Sequence, residues 1–253
     1  MSSLDLRPSW RSRVDPAVEP VGRRRPLLGT AAVVAGLAGV NVAGHLAPSA
    51  RVPLGVGASA ALLAAARADG LTWEDLGLGR EQVRRGLLAG GGAAGVVAVA
   101  YGGGLLVPLT RPLFLDERYR LDVRDAVRAA LVVIPLSTVL LEEVAFRSVL
   151  WGMLERHGGT TRALLVSSTS FGLWHVLPSL DLAGARGVRA RSGPGGTALV
   201  VLGTVGFTTV GGLVAGELRR RSGHVIASAG MHWATNALGV LAGLVAWRAA
   251  RGS

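Results

Sequence analysis

The feature that most constrains the fold of this chain is a series of long apolar stretches without Asp, Glu or Arg. A helix of about 20 apolar residues crosses a bilayer, whereas an open sheet cannot, because its edge groups would lie unpaired in lipid. The sequence therefore predicts an all-α, polytopic transmembrane helical bundle of about seven to eight spans. The uncharged stretches are residues 26–50, 52–66, 86–110, 163–180, 192–216 and 222–247, and a seventh, residues 129–154, is interrupted by three charges.

The charge of the chain bears on its binding partners, and its lack of cysteine excludes several kinds of site. The net charge is +11, which in a soluble protein would suggest nucleic acid. Here the arginines flank apolar stretches, so we expect anionic membrane lipids and no nucleic acid as partners. The absence of cysteine excludes disulfides, thiol catalysis and thiolate metal sites. The use of Arg alone as the strong base, with abundant Ala, Gly and Val, is typical of GC-rich coding and favours a bacterial origin.

The chain divides into three parts by composition. Residues 1–25 form a basic arm with six arginines, and such an excess predicts a cytoplasmic N-terminus of an integral protein in the bacterial plasma membrane. Residues 26–70 are expected to form two N-terminal membrane spans. Residues 71–253 form the third part, in which Gly91 and Gly95 have the four-residue spacing of closely packed membrane helices.

The stretch LLEEVAFRSVL, residues 140–150, places charged residues inside an apolar span. Each ionisable group there costs about 2.5 to 3.5 kcal/mol on insertion scales, so it is by default a candidate functional residue. Glu143 and Arg147 are four residues apart and are expected to form an ion pair on one helical face. That pairing leaves Glu142, about 100° around the helix, free to face a polar cavity.

Two other apolar stretches supply partners for Glu142. FGLWH carries Phe171 and His175, and MHWATN carries His232 and Asn236. Counted at about 1.5 Å per residue from the expected cytoplasmic span ends, Glu142 and both histidines lie roughly 15 to 18 Å deep. The sequence therefore predicts one buried polar site built from three helices.

These residue types suit hydrolysis of an amide. A buried Glu142 can act as general base toward water, while His175 shares that water or protonates the leaving amine. His232 and Asn236 can donate hydrogen bonds to the developing oxyanion. The zinc motif HExxH is absent, so no cofactor is assigned, and the participation of a divalent metal such as zinc is left open.

EEVAFR, FGLWH and GHVIASAGMHWATN resemble, in this order, the motifs of the CPBP family of intramembrane endopeptidases. This family comprises type II CAAX prenyl proteases and bacteriocin-processing enzymes and is also called ABI. The resemblance implies that residues 71–253 are a CPBP-like protease core, with Glu142 as the catalytic carboxylate and His175 beside the water. It further implies that Glu143, Arg147 and Phe171 support the site, and that His232 and Asn236 stabilise the oxyanion.

The predicted function is therefore an intramembrane endopeptidase that cleaves membrane-associated peptides or proteins with a Glu-activated water. Its substrate is expected to reach the site from the membrane or the cytosol. Two hypotheses of other classes compete with it: a non-proteolytic immunity or scaffold protein that uses the polar cluster to bind a partner, and a proton-coupled transporter.

Overall fold

The computed structural model describes residues 24–185 and 188–251 of the chain. Within these ranges every regular element is helical, as the apolar stretches predict. The basic arm lies outside the described residues except at Arg24 and Arg25. The helices are α1 Arg24–Leu46, α2 Arg51–Ala68, α3 Val83–Leu106, α4 Val123–Arg128, α5 Leu140–Glu142, α6 Trp151–Trp174, α7 Val176–Ala185, α8 Val188–Ser222, α9 Ile226–Trp233 and α10 Gly239–Arg251.

Five segments of the described chain are long and apolar enough to cross a membrane, which indicates an integral membrane protein. The expected count of seven to eight spans is not confirmed. One of the five segments is 62 residues long, and it reverses direction at Gly159, where φ is 75°. The segments are Gly29–Leu46, Pro48–Ala68, Arg80–Leu106, Val123–Gly184 and Arg191–Ser222.

The central helix, residues 123–158, runs through the middle of the bundle. It comprises α4, a π-helical segment Ala129–Val139, α5, a second π-helical segment Glu143–Leu150 and the start of α6. Residues 141–154 are all buried. The charged residues of LLEEVAFRSVL therefore face protein and not lipid, and neighbouring helices can supply their partners.

Wide-turned π segments gather around the charged stretch. Two of them flank α5 in the central helix, and a third, Ala234–Leu238, contains Asn236. The π-helix is rare, and single turns of it occur frequently at functional sites because they change the direction of side chains. In these segments the side chains of Glu143, Arg147 and Asn236 follow a wider turn than that of a regular α-helix.

The prediction that Gly91 and Gly95 mediate close packing is wrong. In the part of the chain that the structure describes, no neighbouring atom lies within 4 Å of a Cβ added to either residue, whereas a Cβ on Gly90 would lie 2.6 Å from the backbone oxygen of Ile226. Gly86, four residues earlier, is similarly close to His224. Helix α3 therefore packs against the start of α9 through Gly86 and Gly90, which are also four residues apart. The run of glycines at residues 90–92 makes either four-residue pair possible from the sequence alone.

One end of the bundle is closed by residues 71–79, which we call the strap. Leu71 and Leu76 are fully buried, and the Ser148 hydroxyl of the central helix donates a hydrogen bond of 2.7 Å to the Leu76 carbonyl. The Val225 amide donates to the carbonyl of Gly77 at 2.9 Å. The strap therefore seals the end where α2 finishes and α3 begins, here called the strap face.

Candidate active site

Glu142 lies at the centre of the bundle with only 6% of its surface exposed. The indole N–H of Trp174 donates a hydrogen bond of 2.9 Å to its Oε1. Its Oε2 lies 3.5 Å from Nε2 of His232. The sequence predicted a carboxylate without a partner on its own helix, and both of these partners come from other helices.

His232 lies between the two adjacent glutamates. Its Nδ1 is 2.9 Å from Oε1 of Glu143, while its Nε2 faces Glu142. The motif order predicts that His232 acts with Asn236 as an oxyanion donor. In the structure its two ring nitrogens face carboxylates, so its geometry suits holding and orienting Glu142 and Glu143.

Arg147 and Phe171 pack against Glu143 and the two histidines. Arg147 Nη1 lies 3.5 Å from Glu143 Oε1 with both side chains buried, the pairing that the four-residue spacing predicts. The guanidinium also covers the ring of Phe171 at 3.9 Å from its centroid. Phe171 contacts the His175 and His232 rings edge-on, at centroid distances of 4.7 Å and 5.9 Å. One aromatic ring thus positions a cation and both histidines.

His175 is fixed by its own helix. Its Nδ1 lies 2.8 Å from the carbonyl oxygen of Phe171. Because a carbonyl only accepts, Nδ1 carries the proton in this contact and Nε2 is the acceptor nitrogen of the neutral ring. Local helical geometry therefore selects the tautomer in which Nε2 can accept a hydrogen bond from water.

A cavity of about 650 Å³ is lined by three of the predicted site residues, Glu142, His175 and Asn236. Its inner end includes Glu142, Trp174, His175 and Asn236. The outer residues come from the end of α1, the start of α2, the α3–α4 connection and α7, and the bundle end that they form is called the cavity face. These mouth residues are His45, Arg51, Arg118, Tyr119 and Asp181.

Three buried polar atoms of this site have no hydrogen-bond partner among the described residues. They are Glu142 Oε2, Glu143 Oε2 and Arg147 Nη1. Buried polar atoms nearly always have partners, which include ordered water. Of these three atoms, Glu142 Oε2 belongs to a residue that lines the inner end of the cavity, and its unmet hydrogen-bonding capacity suits the binding of water or a polar substrate group.

The side chains do not present a ligand set for zinc. Both nitrogens of His232 face carboxylates, and Oε1 of Glu142 accepts from Trp174. In the ranges that the structure describes, no group of three or more His, Asp or Glu side chains could hold a metal ion. No chemical step is therefore assigned to a metal.

Sequence reasoning missed Trp174 and the contribution of the N-terminal helices. Trp174 lies within the quoted FGLWH motif, but an indole in an apolar helix is also an ordinary packing residue, so no pattern marked it. Asn41 of α1 and Gly55 of α2 also line the cavity, although the motifs pointed only to later helices. Asn41 is the one side-chain amide in the first apolar stretch, residues 26–50, and this was the sequence feature that could have pointed to α1.

Residues 125–238 match the family model described as Type II CAAX prenyl endopeptidase Rce1-like. The matched region, somewhat less than half of the chain, contains every candidate residue from Glu142 to Asn236. It confirms the family resemblance predicted from the three motifs. The search of curated proteins and the search of solved structures returned no match.

Proposed function

We propose that this chain, whose residues 125–238 carry the Rce1-like type II CAAX prenyl endopeptidase region, hydrolyses peptide bonds of membrane-associated peptides or proteins. One observation supports this most strongly. Glu142 is buried yet lines a cavity, and one of its oxygens has no hydrogen-bond partner within residues 24–185 and 188–251. A carboxylate in such a position can take a proton from water.

The proposed reaction assigns roles to three side chains that line the inner end of the cavity. Glu142 takes a proton from a water molecule as the water oxygen attacks the substrate carbonyl carbon, and His175 Nε2 accepts the second hydrogen bond of that water. The amide of Asn236, which lines the same cavity, donates to the oxygen that becomes negative. The proton held by Glu142 passes to the departing amine nitrogen when the C–N bond breaks.

Glu143 differs from Glu142 because its charge is already offset. Arg147 and His232 both lie against Glu143 Oε1, so this carboxylate serves to hold His232 in place. The two adjacent glutamates therefore take different roles, one reactive and one structural. The buried cation next to Glu143 also limits the repulsion between the carboxylates.

The shape of the cavity constrains the direction from which a substrate arrives. The strap closes one end of the bundle, and the cavity opens at the other, where His45 and Asp181 form a polar contact of 3.1 Å. The first residues of α1 lie at the strap face, so the mouth is at the opposite end of the bundle from the start of α1. With a cytoplasmic N-terminus this mouth would face away from the cytosol, so we infer that the substrate arrives laterally from the membrane, a route that suits either orientation.

The test is cleavage of a peptide library by purified protein in nanodiscs, with and without chelator. Glu142→Gln is expected to abolish cleavage, because the amide cannot take the proton of water. Glu155→Gln is the matched control, since Glu155 also accepts an indole hydrogen bond, from Trp151 at 2.9 Å, but lies outside the cavity. Full cleavage by Glu142→Gln would refute the mechanism, and unchanged biological activity without cleavage would favour the partner-binding protein.

A further inference from the structure

Trp174 connects the candidate base to a helix outside the region that matches the family. Its indole N–H donates to Glu142 Oε1 at 2.9 Å. Its backbone carbonyl accepts a hydrogen bond of 2.8 Å from the Asn41 side-chain amide. Asn41 belongs to α1, which ends 79 residues before the matched region begins at residue 125. Two hydrogen bonds, one to the backbone and one from the side chain of Trp174, thus link α1 to the candidate base.

The carbonyl of Trp174 needs this donor because of the sequence that follows it. In a helix this carbonyl would accept from the N–H four residues later, but that residue is Pro178, which has no N–H. The chain also leaves helical geometry at His175, where α6 ends and α7 follows. An unpaired carbonyl is costly in apolar surroundings. The amide of Asn41 replaces the donor that proline removes.

The same contact fixes the reactive carboxylate. A glutamate side chain has several rotatable bonds, and a hydrogen bond to one oxygen restricts both its rotamer and the plane of the carboxylate. With Oε1 held by Trp174, Oε2 is the oxygen that remains for the reaction and lies near His232. Orienting a reacting group before reaction lowers the barrier, because less freedom is lost in the transition state.

We propose that Trp174 is a positioning residue for Glu142, and that Asn41 and Pro178 together fix Trp174 so that α1 is an integral part of the active site. The proposal rests on the proposed peptidase function for its kinetic consequence. Its geometric content, the hydrogen bond from Trp174 to Glu142, can be measured without any activity.

The first experiment observes the indole N–H groups of the ¹⁵N-tryptophan-labelled full chain in nanodiscs by NMR. Trp174→Phe identifies the Trp174 resonance. Glu142→Gln is expected to move that resonance upfield, because a neutral amide oxygen is a weaker acceptor than a carboxylate, and to leave the Trp151 resonance unchanged. A Trp174 resonance that does not respond to Glu142→Gln would overturn the proposal.

The second experiment separates kcat from KM. Trp174→Phe keeps an aromatic ring and removes the N–H, so kcat is expected to fall about 10- to 100-fold, the size expected for a hydrogen bond to a charged group, with KM unchanged. Trp247→Phe is the control, because its indole donates at 3.0 Å to a backbone carbonyl, that of Asp116, and neither residue lines the cavity. An unchanged kcat, or a change in KM alone, would refute the positioning role.

A rescue variant tests the link to α1. Asn41→Leu leaves the Trp174 carbonyl without a donor and is expected to lower kcat. Adding Pro178→Ala restores a backbone N–H four residues after Trp174, so the double variant is expected to recover most of kcat. An unchanged kcat in a folded, active Asn41→Leu variant would refute the role of Asn41. If the unaltered chain cleaves no peptide, the proposed function fails, and the NMR experiment alone decides the proposal.

Discussion

Replacing Arg147 with methionine removes the cation that offsets Glu143 while keeping most of the side-chain volume. The two side chains are 2% and 4% exposed, and their nearest charged atoms are 3.5 Å apart. Removing one partner of a buried pair costs about 3 to 5 kcal/mol, since the other charge stays buried. His232 Nδ1 remains 2.9 Å from the same Glu143 oxygen, so we expect Arg147→Met to cost about 3 kcal/mol.

The double variant Glu143→Gln/Arg147→Met isolates the interaction. With both charges gone, no uncompensated charge is buried, so the loss of stability is expected to be about 2 kcal/mol smaller than the sum of the two single losses. The free energy of unfolding is measured by reversible denaturation in mixed micelles, followed by tryptophan fluorescence. Peptide cleavage should stay low in the double variant, because the neutral amide introduced at position 143 is a weaker acceptor for His232 than the carboxylate.

An exposed ion pair supplies the matched comparison. Arg156 and Asp75 are 3.2 Å apart, but their side chains are 33% and 42% exposed. Water screens such a pair, so the coupling measured with Arg156→Met and Asp75→Asn is expected to stay below about 1 kcal/mol. If Arg147→Met lowers the free energy of unfolding as much in the Glu143→Gln background as in the unaltered chain, Arg147 does not act by compensating the charge of Glu143. That result would refute the reasoning.

Three further predictions test access, packing and pH dependence. Arg221 lies in the last turn of α8, at the strap face, since nearby Arg219 donates a hydrogen bond of 3.1 Å to the Asp75 carbonyl of the strap, whereas Asp181 lies at the cavity mouth. Because the chain has no cysteine, Asp181→Cys and Arg221→Cys are unique reporters, and a membrane-impermeant maleimide is expected to label only one of them in intact vesicles. Labelling of both would refute their placement on opposite faces. Gly90→Leu is expected to lower the melting temperature, since even a Cβ would lie 2.6 Å from a backbone oxygen of α9, whereas Gly91→Leu enters open space; equal effects in melting scans would contradict the α3–α9 contact. Burial alone would raise the pKa of Asp75, but hydrogen bonds from the backbone N–H of Thr72 and from the side chains of Thr72 and Arg156 lower it below its ordinary value. The ionised Asp75 carboxylate therefore stabilises the fold at neutral pH, and this stabilisation is lost as the pH falls through the carboxyl range. Asp75→Asn should lower the free energy of unfolding at pH 7 and leave it unchanged in strong acid. A difference in unfolding free energy that stays constant across this range would contradict the assignment.

Contacts within one helix were predictable from spacing. Glu143 and Arg147 are four residues apart and form the expected pair, and Phe171 and His175 at the same spacing are also in contact. A helix of 3.6 residues per turn places such residues on one face whatever surrounds them. These parts of the site follow from the order of residues alone.

Contacts between helices were predictable only in outline. Similar depths suggested that Glu142, His175 and His232 share a site, and Glu142 and His232 do lie side by side. The orientation of His232 toward both glutamates and the hydrogen bond from Trp174 did not follow from depth. They depend on how far each helix is rotated about its own axis.

The sequence by itself determined a helical membrane protein, the helices that carry charge, and the family to which its core is similar. Lipid leaves an apolar chain few alternatives to the helix, and a charged residue there is conspicuous. Three features are visible only in the folded bundle: Gly90 and not Gly91 packs against α9, Asn41 of α1 donates a hydrogen bond to the Trp174 carbonyl, and the cavity opens at the end opposite the strap. Helices that are apolar on all sides carry no amphipathic face to set their rotation, so those contacts arise only when the whole bundle packs.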